Sequence, residues 1–579
     1  MKALNYFLLT LLSLILLSCS DDFIINDLDK PPLDQIGNEE FWRTPQDLEN
    51  YMLQFYPQFF LSNRSGIVAD PSIGSDLSIQ FSPNEFMNGS RPTPTSSGGW
   101  NWDDIRAINI FFENYQKVDA SFESISHFVG EAHFFKAWLY FEKLSAFGDV
   151  PWYTNSLQTN SEELFKPRDS REVVADSILW HLDQAIDYLD AISSVDGGTN
   201  RLNKETALAF QSRVALFEGS WQKYHAGTEF GKSGVDPNKY FAKAVEAAEE
   251  LMNGDYRVGI YNTGDPEADY FNMFGMVDYS NIDEILLWKE HDQSIGVSHN
   301  ALLYITDRTN GRGGTFSRLD HYLDRNGNII NYKEFANQNR GNEFLEKLAE
   351  IVDPRFSQTF YIPGDVMYDN ENGRRVFDKP FLNGADQFLN RTGFQFKKGN
   401  NPNLRGAGAP FGGNSETGFI FFRYAEVLLN YAEAKYELDG NVDYDNSINL
   451  LRRRAGMPDF QIPEGEQKFD YGYPIDAELY EIRRERTLEL AEEGFRRDDL
   501  RRWRAHNLFQ NQRPKGYPFA PEEWEDGEVL IPTDENGFMD PYRNDIPNGY
   551  GFQENRDYLN PIPVDELTLN ENLEQNPGW

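Results

Sequence analysis

Cysteine is nearly absent: Cys19 is the only one in 579 residues. A lone thiol excludes an internal disulfide, a Cys-based zinc site and a dithiol redox pair. Cations are scarce beside acids, with 54 Lys and Arg against 93 Asp and Glu, a net charge of −39. A nucleic-acid surface must displace counterions from phosphates with clustered Lys and Arg. A pI near 4.6 therefore excludes nucleic acid as a partner and argues against docking onto anionic lipid headgroups. Long apolar runs are also missing, apart from the fifteen residues Ala3 to Leu17. That run is shorter than the roughly 20 residues a helix needs to cross about 30 Å of hydrocarbon. Aromatic residues are plentiful instead: 44 Phe, 29 Tyr and 11 Trp, or 15% of the chain, within a hydrophobic share of 40%. That much apolar mass excludes a disordered chain and supplies a sizeable core.

The apolar run follows Lys2 and ends in Leu16-Leu17-Ser18-Cys19. It reads as a signal-peptide core, and its end resembles a bacterial lipobox, in which the cysteine is acylated and becomes the mature N-terminus. Leu17 is bulkier than the usual residue there. Residues 1–18 are thus expected to be a lipoprotein signal peptide and Cys19 the lipid-attachment residue. Two or three acyl chains anchor stably where one is marginal. Ser20-Asp21-Asp22 is similar to the acidic tag that marks Bacteroidota lipoproteins for the cell surface. Polar, Pro-bearing residues 19–40 read as a lipid-anchored tether.

From there the pattern is mostly α. Thr44-Pro45-Gln46-Asp47 predicts a helix start with Thr44 as N-cap. Residues 62–100, rich in Ser, Pro, Gly and Asn, read as a long loop, which in a compact protein is usually functional or disordered. Apolar stripes predict helices near 130–147, 171–190, 204–219, 238–253, 421–438, 443–455 and 476–504. Ala242, Ala244, Ala247 and Ala248 in one helix, and Ala425, Ala432 and Ala434 in another, are expected where helices cross closely. Such pairs resemble irregular tetratricopeptide-type units. Residues 254–420 are richer in Gly, Asn and Asp, with short apolar runs such as Glu284 to Trp288 that read as strands or buried connectors. The expected organisation is an N-terminal helical part (41–253), a large loop-rich insertion with short strands (254–420) and a C-terminal helical part (421–579).

Five segments carry a specific resemblance: Glu131 to Phe141 closed by Phe147-Gly148-Asp149-Val150-Pro151; Phe422 to Ala434; Ile448 to Gly456; Ile482 to Trp503; and Leu559-Asn560-Pro561-Ile562-Pro563 with Gln575-Asn576-Pro577-Gly578-Trp579. In this order, behind a lipobox, they resemble the SusD/RagB family of outer-membrane nutrient-binding lipoproteins, although His133 stands where the family usually has Arg. The resemblance implies a surface-exposed, lipid-anchored outer-membrane protein. It would bind an oligosaccharide and act as a lid on a SusC-like TonB-dependent barrel, without catalysis or cofactor. Ligand contacts would come from the loop-rich half. Peptide binding is an alternative, since some relatives take up peptides. A lipid-anchored glycoside hydrolase is the other, since 93 acidic residues always contain a pair of carboxylates.

No Gly-x-Ser-x-Gly, His-Glu-x-x-His or Walker-type loop is present. Asp324 to Asn328 hints at a calcium loop, but Ile329 and Phe335 stand where an EF-hand needs Gly and Glu, so a turn is the better reading and no metal site is expected. The Arg- and Glu-dense stretch 482–503 reads as an internal ion-pair network rather than an anion site. Trp102, Trp138 and Trp288 read as core. Glycan binding needs exposed aromatic faces with nearby hydrogen-bonding groups. Trp100, after Ser96-Ser97-Gly98-Gly99, is expected to project from a loop, with Asn101 and Asp76 as polar contacts. In the inserted half, Asn300, Tyr304, Arg308 and Arg312, close to Gly311, Gly313 and Gly314, are the further candidates.

Overall fold

The computed structural model describes residues 41–59, 75–465, 468–525 and 527–579. The expected signal peptide, Cys19, the tether 19–40 and residues 62–74 of the expected binding loop lie outside the described residues.

Twelve helices matter below: α1 (Pro45–Leu53), α2 (Asp103–Asn114), α3 (Ser126–Phe147), α4 (Arg171–Tyr188), α5 (Lys204–Tyr224), α6 (Asn238–Asn253), α7 (Ala301–Thr306), α8 (Tyr424–Asp439), α9 (Ile448–Arg454), α10 (Ala477–Glu489), α11 (Arg496–Arg502) and α12 (Val564–Leu569). α1 starts where the sequence places it. The Thr44 hydroxyl accepts from the Asp47 amide and the Asp47 carboxylate accepts from the Thr44 amide, a reciprocal capping box. The scaffold is a succession of packed helices: α3 on α4, α5 on α6, α6 on α8, α8 on α10. Close packing of α5 on α6 depends on Gly219, where a Cβ would stand 2.8 Å from the Phe241 ring. Ala244, Ala247 and Ala248 are buried as expected, whereas Ala242 faces solvent.

The single helix expected over 476–504 is two. The chain breaks between α10 and α11, where Glu492 and Gly494 both take left-handed backbone angles (φ 62° and 89°). Its charges form a buried network that reaches across elements. Glu489 accepts from Arg423 at 2.8 Å and Arg355 at 3.1 Å, Glu485 accepts from Arg355 at 2.5 Å, and Arg454 pairs with Glu284 at 3.1 Å. The network ties the inserted segment to α9 and α10.

The inserted segment is loop-rich with short strands, as predicted. β1 (Ser78–Ile79) pairs with β3 (Gly313–Gly314), β2 (Ile285–Lys289) with β6 (Phe419–Arg423), and β4 (Val366–Asn370) with β5 (Gly373–Val376), all antiparallel. Trp288 is core, and its indole N–H donates to the Thr199 hydroxyl at 2.9 Å. Trp138 is half-buried, packed on Phe210 at 5.0 Å. Asp324 forms a turn, its carboxylate accepting from the Asn326 and Asn328 amides. The main core draws on residues from Trp42 to Ile562, so the N- and C-terminal helical parts share one interior. A second core, around Phe344, Phe360 and Phe394, lies under the inserted loops.

Candidate functional site

The glycines of the segment 308–314 bring two distant loops into contact. Asn310 and Gly311 take left-handed angles, and their amides donate to the Gln387 and Leu389 carbonyls at 3.0 and 2.7 Å. A Cβ on Gly311 would stand 2.7 Å from the Phe81 Cα, and one on Gly313 would stand 2.1 Å from the Thr392 hydroxyl oxygen. Only glycine lets the 78–81, 308–314 and 386–394 segments approach this closely.

Their outer edges, with the 410–414 loop, form one strip. Phe81 is exposed and Arg391 lies over its ring at 5.2 Å. Arg391 donates to the Phe81 carbonyl and, at 2.7 Å, to that of Pro541. Next comes half-buried Phe388, with the Arg308 guanidinium 5.8 Å from its ring centre. Arg308 donates to the Pro410 carbonyl at 3.1 Å, and there Phe411 projects, 75% exposed. The Asn300 side-chain oxygen accepts from the Gly413 amide, and the Ser298 hydroxyl donates to the Gly413 carbonyl at 2.7 Å. Both fasten the loop behind the exposed ring. Ile295, 74% exposed, stands on the neighbouring turn, which is linked by Gln293 to Asn414 at 3.0 Å. The exposed Phe411 ring on its fastened loop offers an apolar face for sugar C–H groups, and Arg308 and Arg391, over the neighbouring Phe388 and Phe81 rings, offer N–H donors for hydroxyl or acidic oxygens.

Of the expected site residues, two stand at the strip and two line a separate cleft. Asn300 and Arg308 hold the Phe411 loop. Tyr304 and Arg312 line a water-sized cleft of about 20 Å³ with Thr309, Phe396, Lys398 and Glu492. Burial lowers the Lys398 ammonium to about 8, although Glu493 accepts from it at 2.7 Å. Glu492, one of five described non-glycine residues with positive φ, pairs with Arg318 at the cleft wall.

The other three stand elsewhere. Asp76 is not a free polar contact. Its two carboxylate oxygens accept from Arg496 at 2.8 and 2.6 Å in a buried pair, and its carbonyl accepts from the Thr315 and Ser317 hydroxyls. Trp100 does not project: it is 5% exposed, edge-on to Phe147 at 5.0 Å and Trp102 at 5.3 Å. The turn at Gly98-Gly99 that suggested a loop tip folds the indole inward, with the Gly99 carbonyl accepting from Lys143 at 2.9 Å. Asn101 is exposed but spends its side-chain oxygen on the Asp103 amide at the start of α2, 2.8 Å away. Trp100 lines a separate cavity of about 420 Å³, walled by α2, the 151–165 segment and α12. Phe81, Phe388, Arg391 and Phe411 escaped the sequence reading. The signal that could have found Phe411 is an aromatic residue between Pro410 and Gly412-Gly413, in a stretch with no apolar period.

Comparison with known proteins places the chain in a family. A model of the SusD family matches residues 218–579, and a second, described as starch-binding associating with outer membrane, matches residues 87–216. SusD-like protein P2 of Formosa agariphila is 24% identical over 595 aligned residues, 98% of each chain. A SusD-like carbohydrate-binding protein of Bacteroides fragilis superposes with a TM-score of 0.69 at 21% identity, over 92% of this chain and all of that one. A laminarin-binding SusD-like protein does so with a TM-score of 0.53 at 17% identity, over 93% of this chain and all of that one. The family match covers more than half of the residues and the helical scaffold is shared, so the chain belongs to the SusD family.

Proposed function

We propose that the protein binds an extracellular carbohydrate along the Phe81–Phe388–Phe411 strip and delivers it, as a lid, to a SusC-like TonB-dependent barrel in the outer membrane. Acyl chains on Cys19 hold it to that membrane, facing the cell exterior. The single observation that carries the binding reading is Phe411. Its phenyl ring is 75% exposed, which leaves an aromatic face open to a sugar ring, and its loop is fastened on both sides by Asn300 and Arg308. The family's carbohydrate-binding and laminarin-binding members support the ligand class. The description of the second family model supports the outer-membrane location.

The test is calorimetric titration of the purified protein with a panel of oligosaccharides. Truncating a stacking aromatic commonly costs about 1.5–2 kcal/mol, so Phe411→Ala is expected to weaken binding of the active oligosaccharide at least about tenfold. Its melting temperature should stay that of the wild type, because the ring buries little. Wild-type affinity in Phe411→Ala would remove the strip from the site.

A further inference from the structure

Two arginines on the strip lack a carboxylate partner in a chain whose acids greatly outnumber its cations. Buried arginines of the scaffold face carboxylates: Arg355 pairs with Asp353 at 2.7 Å, Arg423 with Glu284 at 2.8 Å and Arg486 with Asp499 at 2.9 Å. Arg308 and Arg391 differ. Every hydrogen bond they make among the described residues goes to a backbone carbonyl, Pro410 for Arg308, and Phe81 and Pro541 for Arg391. Neither has a carboxylate within ion-pair distance there, and the Arg308 Nε–H is buried with no acceptor. Of the acids adjoining these segments, one is paired and the other points to solvent. Asp307 faces Arg375 at 3.2 Å, and Asp386 opens the turn before Phe388 and is exposed. Each guanidinium lies against a phenyl ring, which withdraws it partly from water without supplying a counterion. Carbonyls fix each fork in place and leave further N–H groups for a ligand.

A guanidinium donates and never accepts, and its planar fork matches the two oxygens of a carboxylate or sulfate. A neutral sugar offers hydroxyls, which an amide or carboxylate serves equally well. We infer that the strip selects an acidic polysaccharide, with Arg308 and Arg391 taking the carboxylate or sulfate groups of successive residues and Phe411 stacking on a ring between or beside them. This rests on the carbohydrate reading of the same strip and deepens it to a charge class.

The experiment uses matched probes that share a backbone and differ in charge: oligogalacturonate against its methyl ester, and sulfated dextran oligosaccharide against dextran oligosaccharide. The acidic member of a pair is expected to bind at least tenfold tighter at physiological salt. That preference should fall to about twofold or less in Arg308→Gln/Arg391→Gln, with Arg308→Gln alone losing part of it. Melting curves accompany each variant, since Arg391 also ties two loops. Arg308→Gln, which gives up one carbonyl contact, keeps the test valid if the double variant unfolds. Equal binding of the neutral and acidic members, still sensitive to Phe411→Ala, would overturn the charge inference and leave the carbohydrate reading standing. So would a preference that survives in both arginine variants. Binding of no acidic probe in either pair would also overturn the charge inference, and binding indifferent to Phe411→Ala would remove the strip from the site and the inference with it.

Discussion

At Trp100 the indole is enclosed by Phe147 and Trp102 at one end of a cavity of about 420 Å³. Removing a buried aromatic side chain costs about 3–5 kcal/mol, because contacts vanish and the surroundings collapse only in part. Trp100→Ala is therefore expected to melt well below the wild type while binding carbohydrate unchanged, the reverse of Phe411→Ala. Thermal melts and titration of both variants check this; a Trp100→Ala protein that melts normally and binds weakly would exchange their roles. The difference between the two rings was not legible in the sequence. Both follow or precede Gly pairs in polar stretches. What decides is whether something distant in the chain covers the ring: Phe147 covers Trp100, while Phe411 stays bare. Asp76 escaped for the same reason, since Arg496 lies 420 positions away. Asn300, Tyr304, Arg308 and Arg312 were legible as a group because one short helix and its following loop keep them together.

Among the elements, α8, α10 and α11 meet at Glu433. Its carboxylate accepts from Arg502 at 2.9 Å, Arg483 at 3.3 Å and the Trp503 indole at 2.5 Å, all buried. Burial alone would push this carboxyl up; Arg502 and Arg483 outweigh it and hold it at about 2, against an ordinary 4.5. A carboxyl lowered on folding binds its proton more weakly in the native than in the unfolded chain. Its stabilisation is complete above about pH 4.5 and is lost as pH falls from there towards about 2. Glu433→Gln removes the carboxylate that Arg483 and Arg502 share, leaving Arg502 with Asp499 at 2.8 Å and Arg483 with Glu437 at 3.5 Å; breaking a buried ion pair costs up to about 3–5 kcal/mol at neutral pH. Urea unfolding of both proteins from pH 7 to pH 2 is expected to show the gap between them narrowing across that acid window; a constant gap would mean that Glu433 is not ionised in the folded state. Gly494 tests the break between α10 and α11: with φ at 89°, Gly494→Ala is expected to lose about 1–2 kcal/mol, read from the same urea curves. Helix positions were legible because apolar residues recur on one stripe. The break was not, because the stripe runs on through it, and only the backbone angles of Glu492 and Gly494 mark it.

For the whole molecule, charge decides how it can stay at a membrane. A net −39 repels anionic headgroups, and no described helix is long and apolar enough to cross a bilayer. On the proposed reading, acyl chains on Cys19 supply the attachment, and two or more chains hold a protein where one only visits. Hydrophobic attachment is indifferent to salt, whereas a charge contact is screened within about 3 Å at 1 M ionic strength. Wild-type protein is therefore expected to remain in the outer-membrane pellet through a 1 M sodium chloride wash, to enter detergent, and to bring a large TonB-dependent barrel with it in a pull-down. Cys19→Ala should leave the pellet before any wash, or accumulate as an unprocessed precursor. A Cys19→Ala protein that stays with washed outer membranes would show that something other than lipid holds it. If it then leaves only when the barrel is deleted, the lid contact itself would be the anchor, and Cys19 would serve export rather than attachment.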